Sequence, residues 1–322
     1  MPFFIGAKLK QDKHMNVRAE KTLNAIKEQI ESDNGAEFKR QEQLILPQMH
    51  DAYKADKKDG LRDHLGASVI GETCLRKIWL NYRGCNQNTI DARMIRLFNR
   101  GHLEEARFHA MLRAIGCITW FDDNGKQFGY KDGVFAGSID GLAVGIPDCP
   151  DELVMLEFKT MNDSRFKQFV STDMLNFKGY ENQCKVNMYC MCKYSQDTLN
   201  TLAKSCENRQ VEPTLWNTLF IAVNKNTDEI HATLIHRDDE WVIRNLNDRI
   251  EKALSQTPPS PLHDSIKFVT CKMCSFNKYC FDNKPLPHNC RTCELFNVQE
   301  NKCQLELEFN EDCYIPVEIK EK

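Results

Sequence analysis

Apolar residues in this chain change their spacing several times, and each change marks an element. In "DARMIRLFNRGHLEEARFHAMLRAIG" they recur at three- and four-residue steps, which predicts one amphipathic helix ending at Gly116. Short strands with turn signals follow: "CITWF", a turn at Asp123-Asn124-Gly125, "VFAGSIDGLAVG", a loop through Pro147 and Pro150, then "ELVMLEFKT". "NDSRFKQFV" and "GYENQCKVNMYCMCKY" return to helical spacing. "TLFIAVNKNTDEIHATLIH" reads as a hairpin turning near Asn226-Thr227-Asp228, and "DDEWVIRNLNDRIEKAL" as a last helix stopped by Pro258-Pro259. Upstream, residues 15 to 58 are polar, with Leu23, Ile26, Ile30, Leu44 and Leu46 only loosely periodic; they predict one or two helices forming an arm or flank. Strands enclosed by helices predict an α/β or α+β domain.

One strand breaks the pattern of a buried element. In "ELVMLEFKT" the apolar run from Leu153 to Leu156 meets Glu157 and Lys159, with Phe158 between them. Side chains at i and i+2 share a face of a strand, so Glu157 and Lys159 project together while Phe158 points into a core. An acid and a base placed where burial makes both costly call for a reason.

Bulk composition narrows the choices. The chain has 322 residues, 41% apolar and 28% charged, with a net charge of -3, which suits one large domain with additions or two domains. No global basic excess advertises a polyanion partner, so any nucleic-acid surface must be a local patch. No run is long enough for a membrane span, the start "MPFFIGAKLKQDKHMN" is too briefly apolar for a signal peptide, and a cytoplasmic location is expected. There is no Walker-type phosphate loop, no HExxH and no serine nucleophile elbow.

The acids suggest a chemistry. Asp140 sits in "GSIDGL" and Glu157 on the next predicted strand, so adjacent pairing brings both carboxylates to one sheet edge. A hard divalent cation such as Mg²⁺ takes a few carboxylates plus waters and substrate phosphate, and Lys159 on the same face would orient a water or offset phosphate charge. By itself a Glu-x-Lys is also a common surface pair.

The order Asp140, a hairpin-length gap, then Glu157-x-Lys159 ending an apolar strand resembles the PD-(D/E)XK nuclease superfamily. Upstream, "FNRGHLEEARFHAML" resembles the helix before the core of RecB-like and lambda-exonuclease-like members, where an acid follows a glycine by four residues; that spacing from Gly101 selects Glu105, with Glu104 as competitor. His102 falls near a position where iron–sulfur members carry a histidine. Downstream, "GYENQCKVNMY" is similar to the helix whose glutamine, here Gln183, touches substrate or the catalytic lysine. The resemblance covers roughly residues 65 to 255. It implies a restriction-endonuclease-like core with a mixed central sheet. It also implies catalytic Glu105, Asp140, Glu157, Lys159 and Gln183, with Mg²⁺ or Mn²⁺ on Glu105, Asp140, Glu157 and the Phe158 carbonyl, one ion or two. The implied activity is metal-dependent hydrolysis of DNA, most simply as an exonuclease.

Fifteen cysteines are many for a reducing compartment, where clusters suggest metal rather than disulfides. Cys85, Cys117, Cys149, Cys184, Cys190, Cys192 and Cys206 are scattered and read as small core residues. "CKMCSFNKYC" supplies only Cys271, Cys274 and Cys280, one ligand short of a usual set, and Cys74 in "GETCLRKIWLNYRG" is the candidate for the fourth. That layout, a lone cysteine before the core in a C-x-R context and three after it, resembles the iron–sulfur staple of AddB-type and CRISPR-associated exonucleases. It implies a 4Fe-4S cluster on Cys74, Cys271, Cys274 and Cys280, with zinc as the alternative. A second run holds Cys290, Cys293, Cys303 and Cys313, a spacing suited to a small zinc knuckle; His288 as a substitute ligand and sets mixing Cys280 with Cys290 and Cys293 stay open.

These readings divide the chain into a helical arm (1–60), a nuclease domain (61–284) and a cysteine tail (285–322). Arg93, Arg96 and Arg100 share one helical face, and Arg76 lies near Cys74; all four are candidate phosphate contacts. The overall arrangement resembles phage-encoded recombination, replication or repair nucleases. This implies DNA ends as substrate, a single-strand-annealing or single-strand-binding partner, the bacterial host cytoplasm as location, and room for an oligomer. An endonuclease of the same fold and a metal-stapled nucleic-acid-binding scaffold that does not cut are the alternatives.

Overall fold

The computed structural model describes residues 16–48, 64–85, 92–123, 126–206, 209–298, 300, 302–305 and 314–317. Its centre is a sheet made of β1 (Val17–Arg18), β2 (Ile118–Trp120), β3 (Gly141–Val144), β4 (Glu152–Met161), β5 (Glu212–Asn224) and β6 (Ile230–His236), in the order β1-β6-β5-β4-β3-β2. Only the central pair β4 and β5 runs parallel; every other neighbour is antiparallel, so the sheet is mixed. A parallel pair needs a long crossover. Helices α6 (Asp163–Thr172), α7 (Lys178–Tyr194) and α8 (Gln196–Ser205) supply it, in the chain order α1 (Glu20–Ser32), α2 (Ala36–Ile45), α3 (Ala67–Ile70), α4 (Leu75–Tyr82), α5 (Ala92–Ala114), then these three, then α9 (Asp239–Leu254).

Alternation along β4 explains why it is apolar on both faces. Val154, Leu156 and Phe158 face α1 and α5, joining Ile26, Phe108, Met111 and Leu112 in one core. Leu153 and Met155 face the other way, into a core with Phe166 and Phe169 of α6, Val186 and Met191 of α7, and Val242 of α9. A strand buried on both sides reads as a continuous apolar run. Glu157 and Lys159 continue the Leu153–Met155 face.

One sequence expectation is refined. "VFAGSIDGLAVG" is two strands rather than one: Phe135–Ser138 pairs with Gly129–Asp132 and with Leu65–Gly66 in a small separate sheet, and β3 joins the main sheet. The chain changes sheet at Ile139–Asp140, and alternation alone does not reveal which sheet each half joins. Residues 16–48, the described part of the polar N-terminal segment, pack along α5 and the sheet, with Ile26 of α1 in the α5 core and Ile45 of α2 against Ala106 and Ala110; the rest of the 1–60 arm lies outside the described residues. In the tail, Cys293, Phe296 and Val298 belong to the main core.

Of the scattered cysteines, Cys85, Cys117, Cys149, Cys184, Cys190 and Cys206 are buried and Cys192 is partly so, as expected of core residues. No helix among the described residues is long and apolar enough to cross a membrane.

Candidate active site

Four elements meet at one end of the sheet. β3 pairs antiparallel with β4, Gly141 opposite Leu156, which sets Asp140 just ahead of the strand and beside Phe158. The Phe158 amide donates to Asp140 Oδ2 at 2.7 Å, fixing that carboxylate against the β4 backbone. Glu157, only 2% exposed, accepts from the Gln183 side-chain amide at 2.9 Å through Oε1, and Lys159 donates to the same oxygen. Lys159 also donates to the Phe158 carbonyl at 3.1 Å. Glu157, Lys159 and Gln183 are therefore one hydrogen-bonded cluster, and Asp140 is fixed beside it by the Phe158 backbone.

Glu104 and Glu105, adjacent on α5, diverge. Glu104 is buried and bonded to Arg107 at 2.9 Å, and Arg107 in turn holds Asp228 at 2.8 Å, so this acid is spent on the side of α5 facing α1. Glu105 lies on the other side, 3.6 Å from His102 Nδ1, and its charge acts on Asp140. Of the two, Glu105 faces the cluster.

The electrostatics show a shortage of positive charge. Burial, with Glu157 and Glu105 adding to it against the pull of Lys159, pushes the Asp140 carboxyl well above the usual range. For Lys159 burial works downward, but Glu157 and Asp140 outweigh it and hold the ammonium above the ordinary lysine value. Glu157 and Asp140 thus share one ammonium, with Glu105 adding negative charge at Asp140. Among the described residues, no group of three or more His, Cys, Asp or Glu side chains is arranged to hold a metal ion as it stands. At this cluster Lys159 and Gln183 both occupy Glu157 Oε1. The donor set fits a hard divalent cation nonetheless: carboxylate and carbonyl oxygens with uncompensated negative charge.

Sequence reasoning missed His109. It is fully buried on α5, one turn beyond Glu105, and its Nε2 lies 3.2 Å from the Asp140 carbonyl oxygen. Burial lowers its pKa to about 4, so it is a neutral imidazole donating from Nε2. The i, i+4 spacing from Glu105 was the available signal.

The staple cysteines also converge. Cys74, at the N-cap of α4, lines a cavity of about 230 Å³ together with Cys271, Cys274 and Cys280. All four are free thiols, and thiolates suit zinc or an iron–sulfur cluster equally. Arg76 lies close enough to Cys280 to oppose the upward push of burial on that thiol. Around it Trp79 and Leu80 pack on Phe276 and Tyr279, and the Trp79 indole donates to the Ser255 carbonyl at 2.8 Å. In the tail, Cys290 and Cys293 frame a short turn, Cys303 pairs with Phe296 in a two-residue hairpin, and the Ile315 amide donates to Cys293 at 3.4 Å. Cys313 lies outside the described residues. His288 packs its ring 4.6 Å from Tyr314. Arg93, Arg96 and Arg100 are exposed on α5, and Arg100 donates to the Lys225 carbonyl at 2.7 Å.

No family model matches the chain, and no curated protein matches it. Among solved structures it is similar to one described as "Crystal structure of SSO0001", at 10% identity over 77% of this chain and 96% of that one. The TM-score is 0.36, too loose a likeness to build on.

Proposed function

We propose that the chain is a metal-dependent deoxyribonuclease of the PD-(D/E)XK type, acting as an exonuclease in phage-type DNA recombination, replication or repair. The observation that carries this reading is the bonded trio Glu157, Lys159 and Gln183 with Asp140 fixed beside it on the Phe158 amide and Glu105 close enough to act on Asp140. Asp140, Glu157, the Phe158 carbonyl and Glu105 would hold Mg²⁺ or Mn²⁺, which supplies a water acidic enough to attack phosphorus and charge to offset the leaving oxygen. The chain's own part is to pre-set these groups. The Phe158 amide orients Asp140, and Gln183 steers Glu157 without adding charge. Lys159, held protonated, presents a positive group to a phosphate oxygen.

Cys74, Cys271, Cys274 and Cys280 would carry a 4Fe-4S cluster, with zinc as the bland alternative; the shared cavity supports a common site for all four. The tail cysteines would take zinc. An endonuclease or a non-cutting scaffold remain the competing readings, and one time course separates them. End-labelled linear and circular DNA are incubated with Mg²⁺, Mn²⁺ or chelator. Shortened ends with spared circles are expected; nicked circles mean an endonuclease, and no product means a scaffold. Glu157→Gln should abolish cleavage by at least about a hundredfold while DNA binding persists; unchanged cleavage removes the assignment.

A further inference from the structure

The cluster is bordered by a cation that its chemistry does not use. Arg165 is the third residue of α6, where the Asn162 side chain caps the helix by accepting the Arg165 amide at 2.9 Å. Its guanidinium carbon lies 4.7 Å from the centre of the Phe177 ring and 5.6 Å from that of Tyr180. The two rings are themselves stacked, 6.2 Å apart and 19° from parallel. Lys159 Nζ stands 5.6 Å from the same Tyr180 centre. One tyrosine therefore carries two cations: the lysine of the acidic cluster and an exposed arginine. Among the described residues no carboxylate is bonded to Arg165, whereas its helix neighbour Lys167 is tied to Asp163 at 2.8 Å.

An arginine whose flat face rests on aromatic rings keeps its N–H edge directed outward, in a geometry that matches two phosphate oxygens. Holding a long exposed side chain costs entropy, and stacking on two rings removes that cost before any ligand arrives. Tyr180 also packs on Phe220, ring centres 5.7 Å apart, so its part is to hold the guanidinium, and on the nuclease reading the phosphate that passes beside the cluster belongs to a polynucleotide backbone.

We propose that Arg165 and Tyr180 form a phosphate clamp that grips the backbone of a single nucleic-acid strand beside the bond to be cut. The clamp rests on the nuclease reading and adds the residues that seat the strand. None of the arginines singled out by spacing along α5 is required for it.

The test is binding of a fluorescent single-stranded oligonucleotide to the full chain in chelator, by anisotropy across a salt series, alongside cleavage kinetics with Mg²⁺. For Arg165→Ala, one phosphate contact in a single strand predicts a slope of log Kd against log salt smaller by about 0.7. Affinity at low salt should fall several-fold, and the cleavage defect should appear mainly in KM. Arg165→Lys should keep most of the slope and lose affinity, because the charge remains without the stacked fork. Tyr180→Leu should weaken binding without changing the slope. Lys167→Ala, which removes an already paired charge on the same helix, should bind like wild type. A wild type that cuts DNA while Arg165→Ala binds with unchanged slope and affinity overturns the clamp alone. A wild type that neither binds nor cuts overturns the nuclease reading and the clamp together.

Discussion

Asp140 shows how a single side chain records the chemistry of its surroundings. Burial and the charges of Glu157 and Glu105 keep its proton on above the ordinary Asp value of 3.8. The folded pKa is raised above the unfolded one, so its contribution is intact at acid pH and is lost as pH climbs through the raised value. In chelator, wild-type stability should fall over that interval, and Asp140→Asn should remove this component. The asparagine can still accept from the Phe158 amide, so we expect the metal-free variant to be more stable by roughly 0.5–2 kcal/mol. Mg²⁺ should raise the melting temperature of wild type but not of the variant, and cleavage should vanish. A variant no more stable than wild type in chelator would mean that the carboxylates do not repel. At this scale the sequence disclosed residue types and order. Glu157 and Lys159 stood out because charge interrupted an apolar strand. His109 and Arg165 did not, since an ordinary helix histidine and arginine look the same whether or not they face a site.

Elements decide how tightly the site is framed. Gly141 opens β3 directly after Asp140, and a Cβ there would come within 2.6 Å of the His109 ring and 2.7 Å of the Trp120 carbonyl oxygen. α5 and β2 can approach Asp140 this closely only because the position lacks a side chain. Gly141→Ala should cost about 1–3 kcal/mol, the usual penalty of overpacking, read as a lower urea midpoint. It should also reduce cleavage more than a surface change of equal stability cost, because Asp140 moves with the strand. Gly71 plays the same part elsewhere: a Cβ there would meet the Gly179 carbonyl at 2.5 Å, where α3 ends against the helix bearing Gln183. Helix and strand identities were legible from spacing, as α5, α7, α9 and the β5–β6 hairpin show. The corner at Ile139–Asp140 was not, because apolar alternation continues across it while the hydrogen-bond partners change.

For the molecule as a whole, four cysteines from distant parts of the chain border one cavity. Cys74 precedes α4, and Cys271, Cys274 and Cys280 follow α9, yet all line one cavity. A metal bound by all four would restrict the unfolded chain by up to about 5 kcal/mol on loop-entropy grounds. Cys74→Ser should therefore lose bound metal and lower the melting temperature by several degrees, measured by metal analysis and calorimetry. Brown protein from an oxygen-free preparation identifies iron; colourless protein with bound zinc identifies the alternative. Unchanged stability and metal content in the variant would remove Cys74 from the set. Arg83 and Arg291 reinforce the same junction. Arg83 donates to the Ser255 carbonyl at 2.7 Å and to the Arg291 carbonyl, and Arg291 donates to the Tyr82 carbonyl at 3.0 Å.

By itself the sequence determined the period of each element, the interruption of β4 by charge, and the grouping of cysteines, because these depend on neighbours along the chain. Only the tertiary structure decided which acid of the Glu104–Glu105 pair faces Asp140, which sheet each half of "VFAGSIDGLAVG" joins, and that Arg165 rests on Tyr180 next to Lys159. Those outcomes follow from packing between segments far apart in sequence, where a small rotation of one helix exchanges a buried ion pair for a residue of the site.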